Sequence, residues 1–246
     1  MRIADLYGRG EPVISFEFFP PKTDKGFRAL FRTIEELKRL APGFVSVTMG
    51  AGGSTRRKTV ELVTQIQKDI GITAMAHLPC VGFSRADLRQ VLDRLDESGL
   101  QNVLALSGDA PPGAEDDLRN LVRKVEDGAE FLISQLFFDN EAYFSFEERA
   151  RAAGIDVPIV PGIMPITSAA NIQRITAMCG SRIPRELEAE LEKVAEDDDA
   201  TMALGVEWAT LQCRELLARG AAGIHFYTLN KSPATQRIHE SLFETG

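Results

Sequence analysis

Seven short apolar runs alternate along this chain with longer amphipathic stretches, and no other feature limits its possible folds so strongly. The runs are VISFEFFP from Val13, FVSVTMG from Phe44, TAMAHLPC from Thr73, NVLALSGD from Asn102, FLISQLFFD from Phe131, PIVPGIMP from Pro158 and GIHFYTLN from Gly223. Their near-continuous hydrophobicity predicts parallel strands covered on both faces. The intervening segments carry helix signals. Ser84 with Asp87 forms a capping box that opens a helix, which Gly99 stops. Pro184 opens a short helix, and the acidic run after Glu196 suits the positive start of a long one ending near Gly220. Strand–helix alternation of this kind builds a doubly wound sheet or a (β/α) barrel. Glu17, Thr48, His77, Asp109, Gln135 and Tyr227 all stand at or near the C-terminal ends of predicted strands. In a barrel those ends converge on one mouth, where catalytic side chains gather, whereas an open sheet spreads them along an edge. A (β/α) TIM-type barrel is therefore expected. With 246 residues and no linker, repeat or low-complexity tract, one domain over 1–246 is expected.

Charge narrows the partners. Lys and Arg number 28 against 36 Asp and Glu, a net charge of −8, which leaves no broad basic face for a nucleic acid. Small anions need only a local cluster of donors and stay open as ligands. No His, Cys, Asp or Glu spacing indicates a metal site. Cys80, Cys179 and Cys213 are odd in number and far apart, so buried reduced thiols are expected. The N-terminal MRIADLYGRGEP has no secretory apolar stretch, and no apolar run approaches membrane-spanning length. The expectation is a cytoplasmic chain with no membrane partner. Its oligomeric state is open, a homo-oligomer included.

Several residues could carry chemistry, each with a structural alternative. Glu17 is flanked by Phe16, Phe18 and Phe19, and an apolar neighbourhood favours the protonated carboxyl a general acid needs. Equally, it could be an outward-facing strand residue. Asp109, in GDAPPG, could bond the N–H groups of a heterocycle or simply make the turn after the strand. AGGSTRRKT offers Gly52, Gly53 and a Ser54 or Thr55 cap to an anion, or is an ordinary strand-to-helix turn; it is not a P-loop. Asp117, Asn120 and Lys124 share a helical face with Arg123 at its edge, a set suited to a ribose and diphosphate or to a solvated, ion-paired surface. His77 could be a hydrogen-bonded core residue or a reactive one. Gln135, among Leu136, Phe137 and Phe138, must find a partner if buried, since burying an unbonded amide costs a few kcal/mol.

The order of these motifs is more specific than any one of them. SFEFFPPK, FVSVT-x-GAGGSTR, AHL-x-C, L-x-GD-x-PPG, DL-x-NL-x-RKV, QLFFD, VPGIMPI and HFYTLN resemble, in that sequence and over nearly the whole chain, the methylenetetrahydrofolate reductase family. The resemblance implies a (β/α) barrel that reduces 5,10-methylenetetrahydrofolate to 5-methyltetrahydrofolate with NAD(P)H through bound FAD, in one-carbon and methionine metabolism. It implies that Glu17 is the general acid that opens the methylene bridge. Asp109 would lie between flavin and pterin, as a catalytic and cofactor-binding residue. Gln135 would contact folate. Thr48, His77, Gly108, Asp117, Asn120, Arg123, Lys124 and Tyr227 fall at flavin-contacting positions. Asn171 and Lys231 fall near substrate-binding ones.

The chain also departs from the pattern. Met49 stands where tyrosine is usual, Pro79 where threonine is, Ser107 where arginine is, and Lys231 in place of an arginine whose bidentate fork lysine cannot make. More consequential is a gap after Gly113, where GDAPPG runs through Ala114 and Glu115 straight into DDLRNL. A helix and strand of about 30 residues, roughly one β/α unit, are absent there. About seven strands then remain where a closed barrel uses eight. The strand of Phe131 would have to pair with that of Asn102, or the barrel would open. Part of the flavin site goes with the missing unit, so two further readings stand beside the reductase. One is a folate- or nucleotide-binding barrel without turnover. The other is flavin-free direct hydride transfer.

Overall fold

A computed structural model describes residues 1–49, 53–106 and 116–243, excluding the side chains of 53–57 and 116. The loop glycine Gly52, the capping side chains of Ser54 and Thr55, Ser107, Gly108, Asp109 and the junction after Gly113 lie outside the described residues.

The chain divides into two compact units. The first is built from Met1–Arg9, Val13–Asp109 and the short return segment Thr228–Ser232. It contains β1 (Val13–Phe18), α1 (Asp24–Lys38), β2 (Phe44–Val47), α2 (Gly53–Gln65, closed by a π-helical turn Ile66–Ile70), β3 (Ala74–Pro79), α3 (Arg85–Glu97) and β4 (Asn102–Leu106). Its strands are parallel in the order β4-β3-β2-β1. Glu17 is level with Ser46, and His77 with Leu104. Phe16, Phe18 and Phe44 are fully buried, as are Leu30 and Ile34 of α1 and Leu62 of α2. Each such side chain contributes roughly 1.5–3 kcal/mol through apolar burial. Asn102 ties down the start of the chain: its Oδ1 accepts from the Ile3 amide at 2.9 Å and its Nδ2 donates to the Met1 carbonyl at 3.0 Å.

The second unit contains α4 (Asp116–Glu126), β5 (Leu132–Leu136), α5 (Asn140–Ala152), β6 (Ile159–Ile163), α6 (Ala169–Cys179), α7 (Arg185–Lys193), α8 (Asp198–Ala218), β7 (Gly223–Tyr227) and α9 (Pro233–Phe243). Its strands are parallel in the order β7-β6-β5, with an irregularity in β5 between Ile133 and Leu136. Gly205 lets α8 approach the chain after β6, since a Cβ there would lie 2.1 Å from the Ile166 carbonyl oxygen.

Alternating parallel strands and helices are those of the expected (β/α) barrel class, with seven strands among the described residues. Two-sided coverage holds for β1, β2, β3, β6 and β7 but not for β4 and β5. Among the described residues β4 has one strand partner, β3, and β5 has one, β6. Leu106 of β4 is 36% exposed. The expectation of three buried thiols is also corrected. Cys213 is buried, whereas Cys80 and Cys179 are half-buried; all three are free. Among the described residues no helix is long and apolar enough to cross a membrane.

Candidate active site

In the first unit the polar positions meet at the C-terminal ends of β1 and β3. Side chains alternate across a strand, so Phe16 and Phe18 enter the core while Glu17 leaves on the other face. The two phenylalanines therefore do not make the apolar neighbourhood that the sequence implied. What meets the carboxylate is His77 of β3, whose Nε2 stands 3.4 Å from Glu17 Oε2. The side chains are 18% and 5% exposed, respectively. The half-buried carboxylate and the buried imidazole thus stand within ion-pair distance of each other. Thr48, just beyond β2, donates its amide to the Phe18 carbonyl at 2.8 Å and accepts the Thr59 hydroxyl on its own carbonyl at 3.2 Å. Lys231 is exposed, and its amide closes a turn onto the Thr228 carbonyl at 2.9 Å.

The second unit carries the remaining positions. Gln135 is exposed at the end of β5, so it has no burial cost to offset. Its Oε1 accepts from the next amide, that of Leu136, at 3.1 Å. Tyr227 ends β7 with its hydroxyl donating to the Ser134 carbonyl of β5 at 2.8 Å. That reach crosses β6 above Gly162, where any Cβ would lie 2.6 Å from the Tyr227 ring. Asn171, in the first turn of α6, accepts from Arg174 Nη2 at 3.1 Å. On α4, Asp117, Asn120 and Arg123 are exposed and Lys124 half-buried. Two cations, an amide and a carboxylate on one solvent-facing helix match the chemistry of a ribose–diphosphate.

Three residues have surroundings that the sequence alone does not show. Phe19, two positions beyond Glu17, is 43% exposed although aromatic. Thr228 and Asn230 bond the main chain at Glu17 and Phe19. Asn230 and the preceding Leu229 both have positive φ, +59° and +50°. Asparagine tolerates that region and leucine does not, so the pair stores strain of about 1–2 kcal/mol. Both Thr228 and Asn230 fall within the last three residues of the apolar run GIHFYTLN, which carries no sign of the groups they bond.

Comparison with known proteins agrees with the motif order. The family profile described as Methylenetetrahydrofolate reductase matches in two pieces, over residues 2–116 and 112–243. The chain is 32% identical over 283 residues to Methylenetetrahydrofolate reductase (NADH) 1 of Arabidopsis thaliana, covering 93% of this chain and 48% of the relative. It thus spans about half the length of the plant relatives it matches. It is also 32% identical to the 5,10-methylenetetrahydrofolate reductase of Salmonella typhimurium, covering 95% of this chain and 92% of that one. The latter match runs over 271 positions against about 234 residues here (95% of 246), so more than thirty positions lack a counterpart. The profile breaks where the β/α unit was expected to be missing. Among solved structures, a Clostridium thermocellum protein described as binding two copies of 5-methyl-5,6,7,8-tetrahydrofolic acid aligns with a TM-score of 0.56 and 13% identity over 96% of both chains, a likeness of fold. The chain belongs to the methylenetetrahydrofolate reductase family.

Proposed function

We propose that this chain reduces 5,10-methylenetetrahydrofolate to 5-methyltetrahydrofolate with NAD(P)H as reductant, as a cytoplasmic enzyme of one-carbon metabolism. The observation that carries the reading is the Glu17–His77 pair at the ends of β1 and β3. Glu17 in its protonated form donates to N10 of the folate, the bridge C–N10 bond breaks, and the methylene carbon is left as an N5 iminium ready for hydride. His77 Nε2, 3.4 Å from Glu17 Oε2 and so within ion-pair range, is the group that would return its proton. The exposed Gln135 amide is the folate contact from β5, with Asn171 and Lys231 as further substrate contacts.

FAD, when bound, supplies the hydride relay between nicotinamide and folate. Asn120, Arg123 and Lys124 of α4 would hold its diphosphate, Asp117 would accept from a ribose hydroxyl, and Thr48, His77 and Tyr227 would be further cofactor-side residues. Gly108 and Asp109 complete the proposed set and lie outside the described residues.

The test is NAD(P)H oxidation dependent on methylenetetrahydrofolate, with the methylated product identified by chromatography. Glu17→Gln should lower that turnover by about 10²- to 10⁴-fold, the usual worth of a positioned acid. Retention of more than a tenth of wild-type turnover removes Glu17 from the role. The more than thirty positions present in the Salmonella relative and absent here favour a second reading, a folate-binding barrel without turnover. Tight folate binding by flavin-supplemented protein that oxidises no NAD(P)H would select it. Turnover undiminished by stripping flavin would instead select direct hydride transfer.

A further inference from the structure

β1 ends at Phe18, and Pro20 and Pro21 follow, neither of which can donate to a ladder. Pairing with β2 ends there too, the Thr48 amide making the final bond to the Phe18 carbonyl. The Phe19 amide and carbonyl therefore fall beyond that ladder, and the Glu17 carbonyl, which alternates with that of Phe18, faces away from β2. All three are met by two side chains about 211 positions away. Thr228 Oγ1 donates to the Glu17 carbonyl at 2.6 Å. Asn230 Oδ1 accepts from the Phe19 amide at 2.9 Å while its Nδ2 donates to the Phe19 carbonyl at 2.8 Å. One carboxamide thus reproduces the paired bonds of a neighbouring strand.

The Asn230 main chain and the Thr228 side chain form one relay. The Asn230 amide donates to Thr228 Oγ1 at 3.2 Å, and that hydroxyl donates onward to Glu17. The segment is fastened farther on as well, where the buried Ser232 donates to Glu36 Oε2 at 2.5 Å. Consecutive positive φ values at Leu229 and Asn230 are what turn the carboxamide back onto Phe19. Backbone of that kind persists only where its surroundings over-determine it.

We propose that Thr228 and Asn230 are positioning residues for the Glu17 proton donor, pinning the main chain immediately C-terminal to its side chain and so fixing the carboxylate against His77. The proposal rests on the reading of Glu17 as the acid. Both act through the backbone, so their loss should change the acid's alignment rather than the affinity for folate.

The experiment compares Thr228→Val, Thr228→Ser and Asn230→Ala in the whole chain, with Glu17→Gln as reference. The first readout is the NMR titration of the His77 imidazole. Removing a carboxylate neighbour lowers a histidine pKa. Thr228→Val and Asn230→Ala should therefore move His77 in the same direction as Glu17→Gln does. The second is steady-state turnover: kcat should fall by about 10- to 100-fold, the cost of a misplacement near 1 Å, with KM for folate held within about twofold. Thr228→Ser, which keeps the hydroxyl, should restore both readouts. An unmoved His77 titration and wild-type kcat in folded Thr228→Val and Asn230→Ala overturn the proposal. A loss that Thr228→Ser fails to rescue also overturns it. If Asn230→Ala does not fold, the Thr228 pair decides. Wild-type protein without folate-dependent turnover would refute the reductase reading alone, because the His77 titration reports the clamp without catalysis.

Discussion

Gly162→Ala is a demanding test of how the second unit is assembled. A Cβ on residue 162 would lie 2.5 Å from the Ser134 carbonyl oxygen, 2.6 Å from Tyr227 Cε2 and 2.9 Å from the Tyr227 hydroxyl. The first of these is backbone and cannot rotate away. The second can retreat only by breaking the 2.8 Å bond from the Tyr227 hydroxyl to that same carbonyl. The Gly162 amide, meanwhile, donates to Ser134 Oγ at 2.9 Å, so β6 is not free to back off either. Overpacking of a tight site costs about 1–3 kcal/mol, and one lost hydrogen bond adds about 1 kcal/mol. The expected loss of unfolding free energy is therefore about 2–4 kcal/mol, measured by urea denaturation. In a Tyr227→Ala background the ring contact is absent and only the Ser134 carbonyl remains, so the penalty of Gly162→Ala should shrink by about 1 kcal/mol or more. A cost below about 0.5 kcal/mol, or no coupling to Tyr227, would refute the claim that the glycine exists to let the tyrosine cross β6.

Two further outcomes follow from the same kind of reading. Arg123→Ala combined with Lys124→Ala should weaken binding of FAD about tenfold or more while leaving riboflavin, which has no diphosphate, unaffected; equal loss for both ligands would separate α4 from the phosphates. Glu215 is held below the ordinary carboxylate range, first by the Asn140 side-chain hydrogen bond at 2.6 Å and then by Arg219. A depressed carboxylate contributes stability above its unfolded pKa and loses it as pH falls through the folded one, so Glu215→Gln should flatten the acid side of the stability profile. An unchanged acid profile would mean that these bonds do not persist in solution.

What the sequence made legible was local. Apolar runs and their spacing located the seven strands of the described residues, because a parallel strand is written as a near-continuous apolar stretch. The capping box formed as read: Ser84 Oγ accepts from the Asp87 amide at 3.2 Å, and the Ser84 amide donates to Asp87 Oδ2 at 3.1 Å. The long helix α8 opens on Asp197, whose carboxylate accepts from the Asp199 and Ala200 amides. Neighbours in space were harder to read. The chain neighbours of Glu17 suggested an apolar pocket, but strand alternation sends Phe16 and Phe18 to the opposite face, and His77 from another strand stands near the carboxylate instead. Gln135 misled in the same way, since its apolar neighbours in sequence do not cover it. Thr228 and Asn230 could not have been found by pattern alone, because the groups they satisfy belong to a strand end far earlier in the chain.

The exposure of β4 and β5 belongs to the same physics as the break in the family match. Both are apolar in sequence, NVLAL and LISQL, as strands meant for coverage on two faces. In each unit the half-open strand is the one that borders the junction where the family profile divides. A β/α unit gives each strand beside it an edge to bond and gives the sheet a helix to lie beneath. β1, β2, β3, β6 and β7 are by contrast almost wholly buried. The Glu17–His77 pair stands on two of those strands, and its geometry needs nothing from the junction. The α4 donors begin just after it. The proton-donating half of the proposed reaction is therefore carried by the best-buried strands of the first unit, and the demand that decides turnover falls on the cofactor side: whether α4 and the residues beside the junction hold FAD without the segment that family members place there.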